Sequence, residues 1–223
     1  VALENRGELL TKVTSAFFNL NSAETSNEMQ AIAQEISPLL SAHGNDVSMN
    51  AGLFAKVKAV FEQGLAGLTA EQKMLLEKSY KGFARNGANL NDSDKEKLRE
   101  IDARKAKLSL IFGERVLKES NAFEMLITDE NDLDGLPEGI REAAQGMATA
   151  KEKGGWLFTL DYPSYIPFVT YSTRRELREK MYKAFSSKAF QSNENNNEEV
   201  IQEIIQLRSE RANLLGFESH ADY

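Results

Sequence analysis

Only two imidazoles, His43 and His220, are available to bind a metal or move a proton, and there is no cysteine. A catalytic zinc centre needs clustered His, Asp or Glu ligands, and neither histidine opens an H-E-x-x-H pattern. His43 stands beside Gly44, where a side chain closing a helix end is the ordinary use. Ser219, His220 and Asp222 have the letters of a nucleophile, base and orienter. A relay of that kind depends on spatial geometry, and three neighbours on one turn do not form it. The stretch "ENDLDG" places Glu130, Asp132, Asp134 and Gly135 at the first, third, fifth and sixth positions of a calcium loop. Its twelfth position must supply a bidentate carboxylate, and Arg141 stands there.

Gly154-Gly155 lacks the further spacing of a phosphate cradle and reads as a turn feeding a strand. Arg174, Arg175 and Arg178 cluster at the start of a helix. They read either as a solvated face paired with Glu176 and Glu179 or as a site for a substrate carboxylate. Asn86, Asn89 and Asn91 around Gly87 read as a turn. The residues themselves therefore nominate no nucleophile, metal cluster or cofactor loop: catalytic none, metal none, substrate-binding unknown.

The elements that would carry these groups are mostly helices. Over residues 8–20, Leu9, Leu10, Val13, Phe17 and Leu20 fall on one helical face. Thr25 with Glu28 reads as a capping box for a helix bearing Met29, Ile32, Ile36, Leu39 and Leu40. Pro38 is expected to kink that helix, and His43-Gly44-Asn45 to end it. A helix is predicted over 50–63, and Thr69 with Gln72 caps the next. Ser93 with Glu96 is expected to cap a long helix over 94–119 with Leu98, Ile101, Leu108, Ile111 and Phe112 inward.

Between 121 and 171 the texture changes, with three of the four prolines there. "AFEMLITD" alternates Phe123, Met125 and Ile127 against Glu124, Leu126 and Thr128. "GGWLFTLDYP" puts Trp156, Phe158 and Leu160 on one side. The two strands should pair antiparallel around a short helix opening at Pro137 or Glu138. Thr173 with Glu176 is expected to cap a following helix, and "QSNENNN" reads as a solvated loop. The last helix carries Val200, Ile201, Ile204, Leu207 and Leu214. Gly216 is placed to end it, and Ser219 to cap a new helix.

The fold expected is mainly α, helical hairpins with a small antiparallel β insertion at about 123–161. Three regions follow: helical 1–120, β-containing 121–171, and helical 172–223 continuing into a further catalytic part.

A formal charge of −7 disfavours a nucleic-acid phosphate backbone as partner, and no apolar run is long enough to span a membrane. The opening "VALENRGELL" begins with Val and is charged and helical, without the layout of a signal peptide, so the chain is expected to be cut at both ends.

Several long blocks agree in order with one family. "RGELLTKVTSAFFNLNSAETSNEMQAIAQEISPLLSAHGNDVSMNAGLFAKVKAVFE", "GWLFTLDYPSYIPFVTYSTRRELREKMYKAF" and "EEVIQEIIQLRSERANLLGFESHADY" resemble the thimet-oligopeptidase-type zinc metallopeptidases. The likeness leans to the bacterial peptidyl-dipeptidase (dipeptidyl carboxypeptidase) branch, with oligopeptidase A as near neighbour. It implies a parent enzyme in which two histidines and a glutamate hold zinc and a further glutamate activates water.

Those positions lie beyond residue 223 in the family, so the resemblance assigns no catalytic or metal residue here and no cofactor to this fragment alone. It implies short peptides as substrates and a helical wall of a narrow channel that excludes folded proteins by size. Asp161, Tyr162, Tyr165 and Tyr171 are the polar groups near the sheet that could face such a channel, with packing the ordinary role for each tyrosine. A free-standing helical interaction module is the alternative. Apolar faces that meet the rest of the enzyme should be exposed.

Overall fold

The computed structural model describes residues 7–223, and the reading of the first six as charged and helical lies outside the described residues. Among the described residues there are nine α-helices, one 3-10 turn and one two-stranded sheet. Two compact units result. One comprises the residues up to 111 together with 202–223, the other residues 112–201.

In the first unit, α1 (Glu8–Ala23) packs on α2 (Asn27–Ser48), and α3 (Ala51–Glu62) on α4 (Ala70–Arg85). Thr69 and Gln72 make the reciprocal capping box read from the sequence. The other two boxes start elsewhere. Ser26, not Thr25, accepts the Met29 N–H, and Asn91, not Ser93, accepts the Asp94 N–H at 2.9 Å and opens α5 (Asp92–Ala122). In both places several cap-competent side chains are adjacent, so composition cannot fix the starting residue.

Helix α2 also runs through His43-Gly44-Asn45 to Ser48 rather than ending there, and Pro38 lies within it. No φ > 0 is imposed on Gly44, so it costs propensity without terminating the helix. Phe54, Phe83 and Ala88 form the core between α3 and α4, backed by Leu53, Val57 and Tyr80. Phe61 stacks on Tyr80 with ring centroids 4.2 Å apart. The stripe on α1 is not buried: Leu9 is 75% exposed, and Leu10, Val13 and Leu20 are exposed as well. α2 covers only part of that helix.

The second unit holds the inserted sheet. β1 (Met125–Ile127) pairs antiparallel with β2 (Trp156–Phe158), Met125 opposite Phe158 and Ile127 opposite Trp156. The first strand alternates as read, with Met125 and Ile127 buried and Leu126 exposed. The second does not, because α6 (Glu138–Ala150) covers its other side and buries Leu157 beside Phe158. Gly155 adopts φ +101°, and a Cβ there would stand 2.3 Å from the Ile127 carbonyl oxygen. That close approach explains the glycine.

The proline-rich stretch after β2 is helical, α7 (Tyr162–Tyr171). Pro163 occupies the first turn, where a missing N–H costs nothing. Phe158, Phe168, Met181 and Tyr165 close the core with α8 (Arg175–Ser186). Thr173 does not cap α8, because its hydroxyl is spent on Asp134.

"QSNENNN" is more than a solvated loop. Asn193 and Asn195 donate to Glu119, and Asn197, almost fully buried, donates to the Phe112 carbonyl and opens α9 (Glu198–Leu214).

A charged clip ties the residue before β1 to the end of α6 and the turn that follows it. Lys151, 2.5 Å away, and Lys153 both donate to Glu124, whose carboxyl is held down to about 2, first by the Lys151 bond and then by the Lys153 bond. A depressed carboxylate contributes stability above its ordinary value of 4.5 and loses it as pH falls toward 2. Glu124→Gln should therefore melt below the wild-type chain at neutral pH, with the difference closing between pH 4.5 and 2. Thermal melts across that range check it, and a difference constant with pH refutes the clip.

Candidate functional site

The groups singled out in the sequence separate into those spent on holding the fold and those that remain open. Ser219 donates directly to Asp222 Oδ2 at 2.6 Å and accepts from the Asp222 N–H, a local turn with no histidine between them. His220 lies against Tyr223 instead, with ring centroids 6.2 Å apart. Ser219 closes this local turn, and no helix follows it among the described residues, where the sequence had suggested a cap for a new helix.

Two of the three "ENDLDG" carboxylates are committed too. Asp132 pairs with Arg174 at 2.9 Å, and Asp134 accepts the Thr173 hydroxyl at 2.7 Å while its carbonyl accepts the Thr173 N–H at 3.0 Å. The stretch is a 3-10 turn (Glu130–Leu133) capped by Asp129, which ties the sheet's exit to the α7–α8 junction. Among the described residues no three His, Asp or Glu side chains group to hold a metal ion.

Of the turn asparagines, Asn91 is a cap and Asn86 is a hub. Asn86 donates to the Gly82 carbonyl and accepts from Arg211 at 3.3 Å. Arg211, buried in α9, donates to Asp102 of α5 at 2.8 Å, and its guanidinium lies 4.8 Å from the Tyr223 ring centroid. Burial opposes its charge, but bonds to Tyr223 and Asp102 outweigh that, so its pKa is raised. This buried pair was not read from the sequence. The signal was present, since Val200, Ile204, Leu207, Arg211 and Leu214 share one helical stripe and the fourth place holds a charge.

The open groups gather on α7 and α8. Tyr165 is buried and stacks on Phe185 at 4.0 Å between centroids, and burial raises its phenol pKa. Tyr162 and Tyr171 are exposed, Tyr162 edge-on to the same Phe185. Asp161 accepts from the Thr159 hydroxyl at 2.9 Å at the head of α7. An open cleft of about 330 Å³ is lined by Val169 of α7 and by Arg175, Arg178, Glu179 and Tyr182 of α8, and not by Asp161, Tyr162, Tyr165 or Tyr171.

The three arginines are not one solvated face. Arg174 is paired with Asp132, and Arg178 donates to the Ser172 carbonyl. Arg175 forms no ion pair among the described residues. Glu179 bonds Lys183 at 2.6 Å, and its pKa is lowered first by that bond, with Arg175 adding through space. What the arrangement offers is a locally cationic, partly aromatic recess with no group poised for bond-breaking.

Similarity to characterised proteins runs the length of the chain. It is 34% identical over 98% of its residues to Oligopeptidase A of Salmonella typhimurium, and 34% identical over 99% to Dipeptidyl carboxypeptidase of Escherichia coli. A plant protein, "Organellar oligopeptidase A, chloroplastic/mitochondrial" of Arabidopsis thaliana, is 30% identical over 99%. Residues 168–223 also match Peptidase family M3. The chain is related to the thimet-oligopeptidase-type metallopeptidases.

It spans about a third of the length of these relatives, 33%, 33% and 29% respectively. The two bacterial identities are equal and do not separate the oligopeptidase A branch from the dipeptidyl carboxypeptidase branch. The part matching Peptidase family M3 begins at Phe168, a core residue of α7, and takes in the α7–α8 cleft and Arg211. Peptidases of this family are generally zinc-dependent. The described residues of this chain do not fit such a site: His43 is in α2 and His220 in a turn after α9, neither within a group of acidic ligands.

Proposed function

We propose that this chain is the helical, non-catalytic portion of a zinc metallopeptidase that removes carboxyl-terminal dipeptides from short peptides, and that it forms part of the wall of the substrate channel. The observation that carries the reading is similarity over nearly the whole chain to peptidases of which it spans a third. The commitment of Asp132, Asp134, Glu124 and Asp102 to turns and ion pairs supports it. The exposed apolar side chains of α1 support the presence of further polypeptide against that face. A wall of this kind selects by size, since an extended peptide passes where a folded domain does not.

The test uses the 223-residue chain and the full product of its gene, each supplied with zinc and a fluorogenic short peptide. The full product should cleave and lose activity to a chelator, whereas the chain alone should not turn over. Zinc-dependent cleavage by the chain alone overturns the assignment. A second reading, cleavage within peptides, is favoured by the equally strong likeness to oligopeptidase A. Amidating the substrate's carboxyl end separates the two. Loss of one charge-assisted contact should slow a dipeptide-removing enzyme at least about tenfold and leave an endopeptidase unaffected.

A further inference from the structure

We propose that the cleft between α7 and α8 binds the carboxylate of a short peptide, with Arg175 and Arg178 as the cationic fork and Tyr182 and Val169 as the bed for a neighbouring apolar side chain. The proposal rests on the peptide-handling reading above and adds a ligand chemistry and the residues that recognise it.

Charge accounts for the first half. The chain carries a net −7, so an anion is repelled by most of its surface and attracted only where the local balance is reversed. In the cleft it is reversed. Glu179 is its only acidic lining residue, and that carboxylate is already bonded to Lys183 at 2.6 Å. Arg178 gives one nitrogen to the Ser172 carbonyl, which orients the guanidinium but neutralises nothing. Arg175, at the first turn of α8, makes no ion pair among the described residues. Two guanidinium groups three residues apart lie on one helical face, and their planar donor forks match a carboxylate.

Shape accounts for the second half. Val169 is packed against the core of the unit and floors the recess, while Tyr182 is 61% exposed at its lip. The recess thus sets a large exposed aromatic beside an arginine that forms no ion pair among the described residues. It suits a ligand bearing both an apolar side chain and an anion. About 330 Å³ accommodates that pair of groups.

The carboxylate could belong to an acidic side chain or to a free chain terminus, and three probes separate these. N-acetyl-Phe-Glu-amide carries only a side-chain carboxylate, N-acetyl-Phe-Gln only a terminal one, and N-acetyl-Phe-Gln-amide neither. Each is titrated into the 223-residue chain with binding read from amide NMR shifts over residues 169–182. At least one carboxylate probe should bind about tenfold more tightly than the neutral one. The stronger of the two identifies the source.

Arg175→Gln should remove about that tenfold preference, and Tyr182→Ala should weaken all three probes. Both side chains are exposed, so circular dichroism should be unchanged. Equal binding of all three probes, shifts outside the cleft, or a preference that survives Arg175→Gln overturns the proposal. Because binding is read without turnover, its failure leaves the peptidase reading standing, and an inactive full product leaves this one standing.

Discussion

Asp102→Ala is expected to destabilise the chain by about 3 kcal/mol, although it deletes a carboxylate that solvent partly reaches. The side chains of Arg211 and Asp102 are only 10% and 15% exposed, and they meet at 2.8 Å. Truncating the acid leaves a buried guanidinium with no anionic partner, held only by Asn86 at 3.3 Å and by Tyr223. It also strips Lys105 of the carboxylate 3.9 Å away that opposes the burial lowering its pKa. Two cations would then share a site with no carboxylate between them.

The loss is a property of breaking the pair, not of lacking it. Replacing both partners with apolar residues, Asp102→Leu with Arg211→Met, should recover most of the stability, since the desolvation of two charges disappears with them. Urea titrations of the two singles and the double give the coupling directly. A double variant as unstable as Asp102→Ala alone would show that the hub contributes through shape rather than charge.

That pair marks where sequence reading stops. Helical spacing located α1, α3 and α4 and the body of α5 and α9, because an apolar stripe is a local record of helical period, although on α1 the stripe stays exposed. Alternation located both strands, yet it misjudged β2. Leu157 is buried by α6, and a periodicity argument assumes one wet face. No helix was read over the proline-containing 162–171, yet Pro163 stands in the first turn of a helix whose Phe168 is fully buried in the core. Packing outweighs propensity there.

Site residues were legible only as chemical types. "Arg174, Arg175, Arg178" gave no hint that one is paired with Asp132, one bonded to a carbonyl and one left open. Those partners are distant in sequence, and spacing carries no information about them. Arg211 was the exception that periodicity could have flagged, a charge at a stripe position demanding a partner.

The same logic makes Gly135 the most consequential single position near the cleft. Gly135→Ala should cost about 2–4 kcal/mol, combining an L-residue held at φ > 0 with the loss of one or two hydrogen bonds. The glycine has φ +84°, and an added Cβ would lie 2.2 Å from the Tyr171 carbonyl oxygen and 3.0 Å from the Thr173 nitrogen. Backbone cannot yield as a flexible side chain would, so residues 134–135 and 171–173 must separate. The bonds from Thr173 to Asp134 then lengthen, along with the Arg174–Asp132 pair beside them.

Ser172, whose carbonyl orients Arg178, sits inside the displaced segment. Gly135→Ala should therefore weaken carboxylate binding in the cleft as well as stability, although it touches no lining residue. Gly154→Ala is the matched control. A Cβ there meets nothing within 4 Å, and its φ is not positive, so the change should fall within about 0.5 kcal/mol. Denaturant midpoints and probe titrations on both variants decide it. If Gly135→Ala unfolds at the wild-type midpoint, the 134–173 tie does not position the cleft. If it is destabilised yet binds the acidic probe unchanged, the tie holds the fold alone.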